Sequence, residues 1–341
     1  MLLSEPLTEY LAVRERVGIA DLSNDGNGGP PAVAVMLLSG EDRIVFLQNL
    51  TSNDVRIVNG HKGIYTTLLT AKGKIIADFY LYPFADAYLL TMESAIAEKT
   101  ISHLMRFKFR SKINIVDPQW GKILVSGPMA TPLLQKLFNN KLPKMEALSI
   151  FSEEANLAVC VCQPQTGEET YHLYYPKAAH EGMWITLLSL GDPFGVAIVG
   201  PSTLELLRIE AGIPRYGIDL TEEIIPIEAG LEERAISYSK GCYPGQEVVA
   251  RIKTYGHVNK HRMGLLFDGK DMPSAGEKVF SGDLEVGWIT ASAFSPFLRR
   301  VIATAYLRTV VATSGTEVRV AMKNASATVT NLPFYSRKKG Q

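Results

Sequence analysis

The sequence predicts an α+β layer followed by a small all-β barrel, and three observations carry that expectation. Ile64 to Thr70, Ile75 to Tyr82 and Ala87 to Met92, with the turn Ala71-Lys72-Gly73-Lys74 after the first, read as three antiparallel strands. A helical pattern from Ser94 to about Phe107 follows, so a β-meander is closed by one helix and keeps one open face. After Arg251 the texture changes to short runs at Met263 to Phe267, Lys278 to Phe280, Val286 to Thr290, Val301 to Leu307, Glu317 to Val320 and Ala327 to Asn331. Gly, Pro, Asp and Ser divide them, which implies a barrel whose boundary lies near residues 255 to 262.

The remaining elements follow in order. Pro6 to Val17 reads as a helix, with Ser4 as a cap and Leu7, Tyr10, Leu11 and Arg14 at helical spacing. Asn24 to Pro31 is almost pure turn chemistry and reads as a surface loop. It lacks both Gly-x-Gly-x-x-Gly and a Gly-Lys-Ser/Thr ending, which sets a phosphate-binding reading aside. Val33 to Leu38 alternates like a strand, and Ser39 starts a helix through Gln48, with Asp42 three residues on resembling a capping box. Ile123 to Ser126 reads as a strand, Pro132 to Phe138 as a helix and Leu157 to Gln163 as another strand. In that last strand Cys160 and Cys162 share a face, since side chains repeat every two residues. No further Cys and no close His pair completes four ligands, so both are read as core thiols and no metal site is expected. Ser202 with Glu205 forms a second capping box, Leu204, Leu207 and Ala211 share a helical face, and Gly212 and Pro214 end the helix.

With 341 residues, two or three domains are expected. Lys+Arg and Asp+Glu both count 35, which excludes the electrostatic footprint of a dedicated nucleic-acid binder. Three cysteines form no complete disulfide framework, and the odd count points to a reducing compartment. The first residues lack a basic stretch followed by a long apolar run, and no segment is apolar enough to span a bilayer. The expectation is a cytoplasmic monomer that does not engage membranes.

Most informative is Lys240-Gly241-Cys242-Tyr243-Pro244-Gly245-Gln246-Glu247, running into Val248-Val249-Ala250-Arg251. Glycines around Cys242 let the backbone turn sharply, and Lys240, Arg251 and Lys253 favour a thiolate, whereas Glu247 opposes it. The same residues also fit a plain turn whose thiol fills a small apolar hole.

Taken with Phe46 to Asp54, Gly73-Lys74-Ile75-Ile76-Ala77-Asp78 and Leu207 to Gly217, this octet resembles the glycine-cleavage T-protein (aminomethyltransferase) superfamily, and the octet itself resembles the signature of its YgfZ branch. The resemblance covers about residues 8 to 335. It implies two interlocked ferredoxin-like α/β modules forming a folate-binding core over residues 1–257, the second module roughly 52–118, plus a C-terminal antiparallel β-barrel over 258–341. It implies tetrahydrofolate as cofactor, Glu210 as the carboxylate receiving the pterin edge, and Asp78 near the folate nitrogen that accepts the one-carbon unit. A carboxylate can accept two parallel bonds from the pterin's neighbouring N–H donors. Lys240 and Arg251 are then placed to meet the anionic glutamate tail. Where aminomethyltransferases carry two acids, Ala77-Asp78 keeps one, which argues against one-carbon transfer. The expected function is therefore a folate-binding accessory protein for iron–sulfur cluster synthesis or repair, with Cys242 as its key thiol and iron–sulfur proteins or their assembly machinery as partners. The alternative is a tetrahydrofolate-dependent aminomethyltransferase or demethylase.

Overall fold

The computed structural model describes residues 5–23, 33–153, 158–320 and 325–337. The Ser4 cap, the 24–31 loop and the start of the 157–163 strand lie outside them. The first part of the chain runs α1 (Glu5–Glu15), β1 (Val17–Asp21), β2 (Val33–Ser39), α2 (Arg43–Leu50), β3 (Ile64–Leu69), β4 (Ile75–Phe84), β5 (Ala87–Glu93), α3 (Ser94–Arg106) and β6 (Asn114–Val116). It continues with β7 (Trp120–Ser126), α4 (Ala130–Leu137), β8 (Ile150–Glu153), β9 (Ala158–Cys162), β10 (Thr170–Pro176), α5 (His180–Gly191), β11 (Val196–Ile198), α6 (Pro201–Glu210), α7 (Glu232–Ala235) and α8 (Gln246–Tyr255). The barrel strands are β12 (Lys260–Phe267), β13 (Lys278–Ser281), β14 (Leu284–Ser295), β15 (Arg300–Arg308), β16 (Glu317–Val320) and β17 (Ala325–Thr330).

Two sheets form the α+β part. One has the order β11-β1-β7-β10-β9-β8 and the other β3-β4-β5-β2-β6. The second sheet is inserted in the chain between β1 and β7 of the first, so the modules interlock. Its strands begin at Val33, earlier than residue 52, because β2 pairs with β5 along its whole length. Each sheet buries one face under helices. Ile96, Thr100 and Leu104 of α3 recur every four residues, and Ile96 and Leu104 meet Leu38, Leu90 and Met92. Leu133, Leu134 and Leu137 of α4 cover the other sheet with Leu187 of α5, in a cluster that also holds Cys160 and Cys162. Both thiols thus face one core, and burial pushes Cys162 up to about 11. The remaining faces pack on each other through Val35, Tyr82 and Leu89 against Val159, Val161 and Tyr174.

Six strands close the barrel in the order β12-β15-β14-β13-β16-β17, with β17 pairing back to β12. The register slips between Ile289 and Ala291 of β14, and the extra residue, Thr290, donates to Asp219 Oδ1 at 2.7 Å. A bulge here re-aims a side chain out of the barrel wall. Asp219 also takes Arg208 at 2.7 Å and Arg262 at 3.1 Å, which ties α6 to the barrel.

Both expected capping boxes are corrected. The second helix starts at Arg43, and Asp42 makes no side-chain cap. Instead its carboxylate accepts the Lys112 N–H at 2.7 Å, and Gly40, at φ +115°, leaves no room for a Cβ beside the Lys112 carbonyl. In α6, Pro201 opens the helix, so Ser202 lies inside it. Glu9 of α1 does the capping, accepting from the Gly200 N–H at 2.9 Å and Thr203 Oγ1 at 2.6 Å.

Candidate active site

Strand alternation decides what faces the space beside the second sheet. Ala77, Phe79 and Leu81 of β4 point into the helix-covered core, so Asp78 and Tyr80 point the opposite way. The same alternation on β5 sends Leu90 and Met92 to the core and leaves Thr91 and Glu93 on the face of Asp78. Across from them lie Gln163 to Gln165 of the loop after β9 and Ile213 to Tyr216 of the segment after α6. Tyr65 and Arg234 complete the rim of an opening that is partly open to solvent.

Two acids, Asp78 and Glu93, share this opening, and neither makes a direct ion pair among the described residues. Tyr65 donates to Asp78 Oδ2 at 2.8 Å, while the buried Oδ1 has no partner among the described residues. Burial pushes the Asp78 carboxyl up to about 6, opposed by the Tyr65 hydrogen bond. Burial also pushes Glu93 up to about 8, offset by Arg215 and reinforced by the charge of Asp78. The arginines nearby are engaged elsewhere: Arg208 holds Glu205 and Asp219, and Arg215 reaches Glu205 at 3.0 Å. Arg234 lies over the Tyr65 ring at 5.5 Å. Two carboxyls that change charge near neutral pH, in a cleft walled by Tyr65 and Tyr80, are suited to proton transfer and to binding an edge rich in N–H groups.

Of the residues expected from sequence, Asp78 alone lies in the opening. Glu210 is fully buried, with its oxygens taken by Tyr10 at 2.9 and 3.1 Å, Arg14 at 2.5 Å and Ser295. In this structure it joins α1, α6 and β14 and does not line the opening. Lys240 is also buried, and its ammonium donates to the carbonyls of Gln48 at 2.7 Å, Asn53 at 3.1 Å and Thr51. Burial holds it down to about 8. It latches the end of α2 and has no donor left for a glutamate tail. Arg251 is exposed on α8, and Cys242 is exposed in the loop before that helix. Neither lines the opening. The octet turns through Gly245 at φ +82°, where a Cβ would come 2.6 Å from the Thr70 carbonyl. Its close packing is therefore backbone against the β3–β4 turn, with the thiol outside.

Sequence reasoning missed Glu93, the second acid of the opening. The period-2 pattern of β5 was the available signal, because it puts Glu93 on the same face as Thr91. It also gave weight to the absent acid at position 77. That side chain points into the core, so an acid there would be buried away from the opening.

Comparison with known proteins agrees with this architecture. Residues 5–240 match the GCVT N-terminal domain, and residues 260–336 match the glycine cleavage T-protein C-terminal barrel domain. An aminomethyltransferase of Caldanaerobacter subterraneus subsp. tengcongensis is 28% identical over 340 residues, covering 97% of this chain and 88% of the relative. One of Geobacillus sp. (strain WCH70) is 30% identical over 339 residues, covering 97% and 90%. The crystal structure of glycine cleavage system aminomethyltransferase T from Bartonella henselae superposes with a TM-score of 0.87 at 22% identity, over 98% of this chain and 90% of that one, which shows a shared fold. These relatives overturn the iron–sulfur accessory reading, since chains similar over 88% and 90% of their own length are named aminomethyltransferase. No helix among the described residues is long and apolar enough to cross a membrane.

Proposed function

The chain belongs to the glycine cleavage T-protein family, and on that premise we propose that it transfers a one-carbon unit to or from tetrahydrofolate, as an aminomethyltransferase-like enzyme. The observation that carries the reading is the pair of carboxyls, Asp78 and Glu93, on one face of the opening, both raised by burial that Arg234 and Arg215 offset only in part. A reduced folate fits these residues: its pterin edge offers N–H donors and a carbonyl, its ring needs flat walls, and Tyr65 and Tyr80 supply them. Tetrahydrofolate, when bound, supplies the nitrogen that carries the one-carbon unit.

The chain's own residues divide the remaining work. Tyr65 fixes Asp78 through Oδ2 and leaves Oδ1 without a partner among the described residues, free to accept a proton or an N–H bond. Glu93, with its carboxyl near 8, is mostly neutral at pH 7 and presents one donor and one acceptor. The loop 163–165 and the segment 213–216 enclose the site from the other side and limit water. A finer placing within the YgfZ branch is supported by the octet Lys240 to Glu247 and concerns lineage alone; the proposed chemistry does not depend on it.

Calorimetric titration with tetrahydrofolate is expected to saturate in the micromolar range of cofactor-type sites. Incubation with tetrahydrofolate and a set of aminomethyl thioether donors (R–S–CH2–NH2), whose carbon is already at the formaldehyde level, is expected to yield methylene-folate, ammonia and the free thiol. Saturable binding with no product from any donor would defeat the transferase reading, and no binding at all would defeat the folate assignment.

A further inference from the structure

Away from the opening, a second concave face lies between α2 and the end of α3. Val45 and Asn49 of α2 form one side, and Phe107, Phe109 and Ser111 form the other. Val45 is 63% exposed and Phe109 is 87% exposed, so large apolar side chains stand in water on both sides. Single exposed apolar residues are ordinary, but a concave cluster of them marks an interaction surface. Phe109 also has a φ of +36°, in the left-handed region, which costs a non-glycine residue about 1 kcal/mol or more. The surrounding structure thus holds this ring outward at a cost.

Charge says what kind of surface fits. The turn reads Arg106-Phe107-Lys108-Phe109-Arg110, alternating cations with aromatics. Among the described residues, no hydrogen-bond or ion-pair partner is found for the side chains of Arg106, Lys108 or Arg110. The acids at this face, Glu41 and Asp42, are both taken by Lys112, through its ammonium at 2.8 Å and its backbone N–H at 2.7 Å. Arg110 lines the apolar groove beside Asp42, with Arg106 and Lys108 next to it in the turn, so the cations without a partner outnumber the Asp42 carboxylate, in a protein whose total charge is balanced.

We propose that this face docks an acidic protein surface that inserts an apolar side chain into the groove between Val45 and Phe109. Carboxylates of the partner would pair with Arg106, Lys108 and Arg110 while its anchor buries against the two phenylalanines. A flat anionic lipid surface matches the charge but has no side chain to fill a concave groove, which favours a protein. The proposal is independent of the folate reading, since no residue of this face lines the opening.

Fluorescein-labelled peptides with a central Trp-Leu pair, flanked in one by Glu and Asp and in the other by Lys, test it on the full-length protein by anisotropy. The acidic peptide is expected to bind at least about ten-fold more tightly than the basic one at low salt, and to weaken steeply toward 0.5 M salt. Phe109→Ser and Arg110→Glu should each weaken it about five-fold or more with unchanged melting temperature, because both side chains are exposed. Absence of acidic-peptide binding, equal binding of both peptides, or binding indifferent to both variants overturns the proposal. So does stronger binding to phosphatidylglycerol vesicles than to the acidic peptide, lost in the same variants.

Discussion

Asp219 and Glu210 on one side, and Asp78 and Glu93 on the other, are acids of one protein held under opposite conditions. Asp219 is buried against Arg208, Arg262 and Thr290, and these partners hold its carboxyl well below the usual range against the cost of burial. Glu210 likewise fills its oxygens with Tyr10, Arg14 and Ser295. Asp78 and Glu93 are raised by burial, and without a direct ion pair among the described residues Arg234 and Arg215 offset that only in part, so both carboxyls rise. A fully paired acid joins elements, whereas an unpaired one in a cleft is available to a ligand. The first pair therefore reads as architecture and the second as chemistry.

Substitutions can break this contrast, beginning with the largest effect. Asp219→Ala leaves the buried Arg262 without its counter-charge and Arg208 with Glu205 alone, and is expected to cost about 3–5 kcal/mol in urea unfolding. Because its folded carboxyl is lowered, that stability is present at neutral pH and is lost as pH falls below the ordinary carboxylate range. Next, Glu210→Gln removes the charge facing Arg14 and is expected to cost about 2–4 kcal/mol, with tetrahydrofolate affinity of the folded protein changed by less than a few-fold. A large loss of affinity at unchanged stability would return Glu210 to the ligand role.

Asp78→Asn is expected to act in the other direction on stability. Asp78 and Glu93 bind protons more tightly in the folded chain than the ordinary values of 3.8 and 4.5 allow, so folding favours their neutral forms. Their contribution is fully present below about pH 4 and is lost as pH rises through about 6 and about 8. At pH 8 Asp78→Asn should thus stabilise by about 1–2 kcal/mol, discounted for contact with solvent, while lowering transfer by about 100-fold or more. Glu93→Gln should flatten the upper part of the stability profile, between about pH 6 and 8, and thermal melts across that range check it. The smallest effect is expected from Cys242→Ser: within about 0.5 kcal/mol in stability, and no change in transfer rate, since an exposed thiol outside the opening touches neither. Loss of transfer in that variant would restore the cysteine to the site.

Much of the architecture was legible because it depends on local pattern. The meander β3 to β5, the helix after it and the short strands of the barrel all carry their periodicity in consecutive residues. Elements with weaker local marks were not read: β10 is nearly all buried and does not alternate, and α8 follows a Pro-Gly turn that looked like loop. The capping boxes failed for a different reason. Asp42 and Glu205 had competing partners, Lys112 and two arginines, that spacing alone does not reveal.

The sequence by itself determined the fold class, the barrel and, through the period of two in β4, the placing of Asp78 opposite Ala77. Only the tertiary structure decided which acids are spent on ion pairs and which remain open. Glu210 meets Tyr10 at a separation of 200 residues and Arg14 at 196, while Lys240 meets the carbonyl of Gln48 at 192. The octet around Cys242 stood out as a motif, but its work is backbone packing and a buried lysine latch. Pairing, and with it proton affinity, is a property of neighbours in space, and those neighbours come from chain segments that no local pattern connects.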